Sequence, residues 1–345
     1  MTYKHLFFDD YSEGAHPRII EALQRTNLQQ EPGYVMDSFA VAATKSIQER
    51  FAIPGADVHF LTSGTQANLC VLSAMLKPWE SVIAAETGHI NTHETGSIEA
   101  TGHKINVVKG EHGKVRPHEI QDMVEMHDFD QMVLPRAVYI SLSTELGTVY
   151  TTAELTALSD KCKEHNLYLF VDGARLGAGL SSKACDLSPE TFASLIDVFY
   201  IGGTKNGALI GEAVVIVNQQ LKDHFRFNLR QRGALLAKGR AVSLQFQELF
   251  RDNLYFDIAQ HANGLAQKLA AGIKECGYQL LVDAPTNQVF PIFPNDIIER
   301  MQREYGFHFW EKSDEDHSVV RLVTSWATEE TDVAEFLAGL QACSK

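Results

Sequence analysis

FVDGARLGAGL, Phe170 to Leu180, decides the fold. The apolar residues Tyr168 to Val171 read as a buried strand, and the strand ends on Asp172, with Arg175 three residues on among glycines that leave the backbone bare. An unpaired carboxylate at such a place costs several kcal/mol unless a cation neutralises it. The stretch therefore predicts both a strand that ends at a site and a cationic partner for Asp172.

On either side of it, apolar strand-like runs alternate with helix-like stretches through the first two-thirds of the chain. DVHFLTSG precedes TQANLCVLSAMLK, SVIAAETG precedes a polar segment, AVYISLST precedes the amphipathic TTAELTALSDKCKEHN, and VFYIGGTK precedes ALIGEAVVIVN. Such alternation marks an α/β layer with a mostly parallel sheet. The pattern changes at Arg240, where one long helical stretch, Ala241 to Gly277, leads to the short strands QLLVDAP, QVFPIF and VVRLVTSW. The expected division is a large domain over 1–245, including an N-terminal arm, and a small α+β domain over 246–345.

Composition narrows the function. The chain has 345 residues, 45% of them hydrophobic, enough for a large core and a smaller one. No apolar run approaches the roughly 18 residues a membrane span needs, so a soluble protein is expected, with no membrane partner. Five scattered cysteines, with no C-x-x-C pair, point to a reduced, cytoplasmic setting and against a zinc knuckle. A formal charge of −14 argues against a nucleic-acid partner.

In open α/β sheets, ligands bind beyond the carboxyl ends of the strands. Four features stand there. In LTSGTQAN, Ser63, Gly64 and Thr65 form a small-residue turn at a helix amino terminus, which is either a phosphate cradle or an ordinary hydroxyl N-cap. In HINTHETGS, His89 and His93 are four apart; a surface pair, a ring-stacking or acid/base role, and least of all a metal site are open, since the acid of H-E-x-x-H is missing. Asp172 is the third. Lys205, with Thr204, follows the Gly-Gly turn of VFYIGGTKNG. Taken singly each has a bland explanation: a cap, a solvated cation, a surface ring. Taken together they are the parts that hold pyridoxal 5'-phosphate, with Lys205 as the Schiff-base residue and Asp172 paired with the pyridinium nitrogen. The cation that answers Asp172 is then the cofactor's own.

With these pieces, and with DYSEGAHPRIIEAL, GYVMDSFA and LRQRGALLAKG in the same order, the chain resembles the threonine aldolase/β-eliminating lyase family of fold type I pyridoxal-phosphate enzymes. The resemblance implies that Ser63, Gly64 and Thr65 hold the phosphate with Thr204, that His89 stacks on the ring, and that Arg175 and Arg321 grip the substrate α-carboxylate with Arg230 nearby. It further implies that Tyr34 comes from a loop near an active site at a subunit interface, and that two such dimers make a homotetramer. Retro-aldol cleavage of L-threonine, L-allo-threonine or a related β-hydroxy-α-amino acid to glycine and an aldehyde is the expected reaction, with His89, His93 or a water as base. β-Elimination on another amino acid is the alternative, and a non-catalytic cofactor-binding module a more distant one. Two positions depart from the family pattern. Thr144, Glu145 and Leu146 stand before Gly147 where the family carries Asn-Thr-His, and Asp9 stands where a family serine lies near the carboxylate.

Overall fold

The computed structural model describes residues 3–343; the outermost residues of the two expected domains, 1, 2, 344 and 345, lie outside the described residues. Seven strands form the central sheet: β1 (Asp57–Leu61), β2 (Glu80–Ala85), β3 (Lys104–Val108), β4 (Leu134–Ser141), β5 (Tyr168–Asp172), β6 (Val198–Gly202) and β7 (Glu212–Ile216). Their spatial order is β1-β7-β6-β5-β4-β2-β3, with every neighbour parallel except at β7, which is antiparallel to both β1 and β6. Nearly every residue of β2, β5, β6 and β7 is buried, as a sheet covered on both faces requires.

Alternation along the strands sends side chains into two cores. Ile83, Val138, Val171 and Phe199 face one, where they meet the helices Ser38–Arg50, α2 (Thr152–Glu164) and α3 (Arg240–Leu249). Ala84, Tyr139, Phe170, Tyr200 and Val214 face the other, against α1 (Gly64–Met75). Each fully buried Val, Ile or Phe contributes about 1.5–3 kcal/mol on transfer from water. The period of two also decides where Asp172 points: it follows Phe170 by two and so faces α1, on the side of Tyr139 and Tyr200.

The helices begin where their sequences dictate. Thr151 caps α2 and Glu154 reaches back to the Thr151 backbone, a reciprocal capping box. The long helical stretch expected from Ala241 to Gly277 is instead two helices, α3 and α4 (Leu254–Glu275). Asp252 and Asn253 break it with φ of 54° and 65°, a left-handed conformation that Asp and Asn tolerate best, and Arg18 and Arg50 hold their side chains.

The C-terminal sheet comprises β8 (Gln279–Leu280), β9 (Gln288–Val289), β10 (Pro291–Pro294), β11 (His308–Lys312) and β12 (His317–Val323). The strand expected over QLLVDAP shrinks to two residues, QVFPIF divides at Phe290, and β11 is a strand the apolar pattern did not announce. α4 belongs to both bodies: Tyr255 and Ile258 pack in the large core, Leu265 and Ile273 in the small one with Phe293 and Val320. The N-terminal arm crosses over as well. His5–Leu6 pairs with Tyr305–Gly306, and Phe7 is buried in the small core. This crossing carries Asp9 and Asp10 to the carboxyl ends of the central strands.

Candidate active site

A cavity of about 380 Å³ opens where the parallel strands end, and Ser63, Gly64, Thr65, His89, Asp172, Arg175, Thr204 and Lys205 all line it. Arg321, Arg230, Tyr34 and His93 do not. The sequence placed these residues on separate segments; the sheet order gathers them, because β1, β2, β5 and β6 all point their carboxyl ends the same way.

Ser63 caps α1, its hydroxyl accepting from the Gln66 N–H at 3.3 Å, so the cap and the anion cradle are one structure. Gly64 allows the helix to begin there at all: a Cβ would lie 2.8 Å from the Tyr200 hydroxyl. That hydroxyl donates to Asp172 Oδ1 at 2.5 Å, and the Ala174 N–H donates to the same oxygen at 3.0 Å. Oδ2 accepts from the Tyr139 hydroxyl at 2.5 Å and from Asn68 Nδ2 at 3.1 Å. Burial works to raise the Asp172 pKa, but the His89 ring and the two tyrosine hydroxyls outweigh it and hold the carboxyl below the usual carboxylate range. An anion is thus kept at the floor of the cavity, and among the described residues no cationic side chain is bonded to it.

Lys205 lies in the hairpin between β6 and β7. Burial first, then the Arg175 guanidinium, push its amine below the ordinary lysine range. An amine that gives up its proton more readily than usual is better placed to attack a carbonyl. Beside it stands Glu212, which sequence reading missed. β7 is antiparallel, so its first residue, Glu212, comes level with Gly202 at the end of β6. Its Oε2 accepts from the Gly203 N–H at 2.9 Å, and burial pushes its carboxyl up to about 8.

The two arginines expected to hold a carboxylate already carry one each. Arg175 Nε and Nη2 donate to the two oxygens of buried Asp10 at 2.7 and 3.1 Å, and Asn287 Nδ2 also donates to Asp10 at 2.8 Å. Arg321 Nη2 donates to Asp9 Oδ1 at 3.0 Å. Asp9 therefore sits on the arginine expected to receive a substrate carboxylate. Arg230 is exposed, its guanidinium 4.5 Å from the Tyr34 ring, and Arg226 donates to the Tyr34 carbonyl at 3.0 Å.

His89 opens a single helical turn, His89–Thr92, after β2. Its backbone N–H donates to Glu145 Oε1 at 3.0 Å, an oxygen that also accepts from the Ser141 hydroxyl at 2.7 Å, and burial raises the Glu145 pKa. Its ring meets Glu94 at 2.8 Å through Nδ1. The His93 ring stacks on His89, 5.7 Å away, but is exposed and bonds Thr92. Among the described residues no group of three His, Cys, Asp or Glu is placed to hold a metal ion. Tyr139, Tyr200, Asn68 and Asp10 also escaped the sequence reading. A signal existed for the tyrosines, each of which precedes its strand's end by two and so shares a face with that end.

An anion cradle at a helix start, a buried carboxylate to which no cation is bonded among the described residues, and a buried lysine whose amine holds its proton less tightly than usual, all on one cavity, fit pyridoxal phosphate. The comparisons agree. Residues 14–295 match the family described as Beta-eliminating lyase. The chain is 33% identical to a low specificity L-threonine aldolase of a Pseudomonas species over 97% of this chain and 96% of that one. It is 44% identical to a Leishmania major threonine aldolase structure, with a TM-score of 0.98 over 99% of this chain and all of the other. A Thermus thermophilus aspartate aminotransferase shares the fold at a TM-score of 0.74, 15% identity, and coverage of 99% and 92%. The chain belongs to the beta-eliminating lyase family, beside its threonine aldolases, and is a pyridoxal-phosphate-dependent enzyme of fold type I.

Proposed function

We propose that this enzyme cleaves L-threonine, L-allo-threonine or a related β-hydroxy-α-amino acid to glycine and an aldehyde. The observation that carries the reading is His89: a ring on the cavity wall, backed through Nδ1 by a buried carboxylate, with Nε2 free to meet a β-hydroxyl. Its sequence relatives named as L-threonine aldolases support the same chemistry. Pyridoxal phosphate, when bound, supplies the electron sink that makes a bond at Cα breakable.

The chain's own residues do the rest. Ser63, Gly64, Thr65 and Thr204 would hold the phosphate at the α1 terminus, Asp172 would keep the ring nitrogen protonated, and Lys205 would be the covalent attachment point. Arg175, which lines the cavity, and Arg321, once released from Asp9, would receive the substrate carboxylate, whose fixed position would select the bond that breaks, while Arg230 stays off the cavity beside Tyr34. His89 Nε2 then takes the β-hydroxyl proton, the Cα–Cβ bond breaks with its electron pair left on the Cα side, the aldehyde departs, and return of a proton to Cα completes glycine. His93 is the poorer candidate for the base, since its ring is exposed, bonds Thr92 and stands off the cavity.

We also place the enzyme in the cytoplasm, as a homotetramer of dimers. Its cysteines are unpaired. Tyr34 and Arg230 are exposed beside the bare apolar side chains of Met36 and Phe227, which suits a face that meets a second copy and lends it Tyr34. A panel of β-hydroxy amino acids, scored separately for aldehyde, ammonia and keto acid, tests the reaction. Aldehyde and glycine in equal amounts are expected; ammonia with a keto acid would mean β-elimination.

A further inference from the structure

Glu94, in HINTHETGS, has no assigned part in the reaction above, yet its side chain is wholly buried against the site. Its Oε1 lies 2.8 Å from His89 Nδ1 and accepts from Asn68 Nδ2 at 2.7 Å, and its Oε2 accepts from the Ser97 hydroxyl at 2.6 Å. The same Asn68 Nδ2 donates to Asp172 Oδ2 at 3.1 Å, and Asn68 is fully buried on α1. One amide thus joins the carboxylate behind the histidine to the carboxylate under the cofactor ring.

We propose that Glu94 is a positioning residue: it fixes His89 as the Nδ1–H tautomer, and through Asn68 it locks that ring to Asp172, so that base and ring-nitrogen partner keep one spacing. The bonding pattern requires this arrangement. Asn68 and Ser97 donate to Glu94, one to each oxygen, and a group that accepts at both oxygens is a carboxylate with no proton of its own to give to the ring nitrogen beside it. His89 must then place its hydrogen on Nδ1, which leaves the lone pair on Nε2. A second anchor prevents the segment from sliding, since Glu145 holds the His89 backbone N–H at 3.0 Å. The histidine is held at both ends. The geometry is that of an orienting acid behind a histidine, where loss of the acid leaves the ring present but in the wrong tautomer.

The inference rests on the reading of His89 as the base, and the test separates the two. Protein labelled with 15N at histidine, with and without cofactor, is examined by long-range proton–nitrogen correlation at a pH where His89 is neutral, with His89→Gln identifying its signals. The wild type is expected to show the Nδ1–H tautomer, and Glu94→Ala to move His89 toward Nε2–H, the ordinary preference of imidazole. In the holoenzyme Glu94→Ala is expected to lower kcat by about ten- to a hundredfold, the range of a lost orienting partner, with KM changed less than about threefold. Glu94→Asp should recover part of kcat. If Glu94→Ala does not fold, the isosteric Glu94→Gln serves, because its amide can offer His89 a donor as readily as an acceptor and so displaces the signals from the Nδ1–H positions. An unmoved tautomer, or a kcat within about twofold of wild type, overturns the proposal. If His89→Gln itself keeps full turnover, His89 is not the base, and the tautomer result still decides what Glu94 does.

Discussion

Asp9 and Glu212 are the two carboxylates whose behaviour follows most directly from where they sit. Asp9 occupies Arg321, so if Arg321 receives the substrate carboxylate as proposed, that carboxylate must displace Asp9 or share the guanidinium. Asp9→Asn removes a competing charge, and KM for the amino acid should fall by roughly fivefold, the equivalent of about 1 kcal/mol, at unchanged kcat; a raised KM would mean that Asp9 orients the arginine for substrate. For Glu212 the sign follows from its raised pKa. In the folded protein it keeps its proton up to about 8, while the unfolded chain releases it near the ordinary glutamate value. The unfolded state therefore binds fewer protons between those limits, and the stability Glu212 contributes is full below the ordinary value and lost as pH rises to about 8. Denaturant titrations of the cofactor-free protein should show Glu212→Gln gaining on the wild type across that interval and holding a constant advantage above it. Parallel pH curves would remove Glu212 from the balance.

Single elements explain both the legible and the illegible parts of the site. Asp172 after YLFV, the hydroxyl turn of LTSGTQAN and the lysine after Gly-Gly stood out because each follows a strand that its own apolar residues announce. Glu212 did not, because only the pairing shows that β7 runs backwards and brings its amino end to the same rim. Asp10 was hidden for a similar reason: nothing in DDYSEG says that the arm crosses to the small core and returns its aspartates to Arg175. Glu94 lay in a quoted motif, but its contact with Asn68 joins two segments that meet only through the sheet. The start of α1 offers a direct check. In Gly64→Ala the new Cβ must push the Tyr200 hydroxyl off Asp172, so cofactor affinity should drop by about tenfold or more while far-UV helix content stays the same. Unchanged affinity in equilibrium dialysis would show that the α1 start yields without cost.

Across the whole molecule, a change of pattern near Arg240 was visible in the sequence, whereas the way one helix and the N-terminal arm join the large and small cores was not. α4 packs in both cores and the arm is shared, so the arginine from β12 and the arginine after β5 are held at a fixed distance by more than a hinge. The exposed cluster around Tyr34, Met36 and Phe227 belongs to this scale as well. Phe227→Glu should lower the solution mass seen by light scattering and reduce turnover with it, if a second copy covers this face; a wild-type mass and full activity would leave Tyr34 without a role in a neighbouring site. Everything else depends on the cofactor being joined at the one lysine of the cavity floor. Borohydride reduction of the purified holoenzyme, followed by peptide mapping, tests that directly: the reduced cofactor should be found on Lys205, and Lys205→Ala should yield no labelled peptide. A label on any other lysine, or a Lys205→Ala enzyme that still turns over threonine, would contradict it.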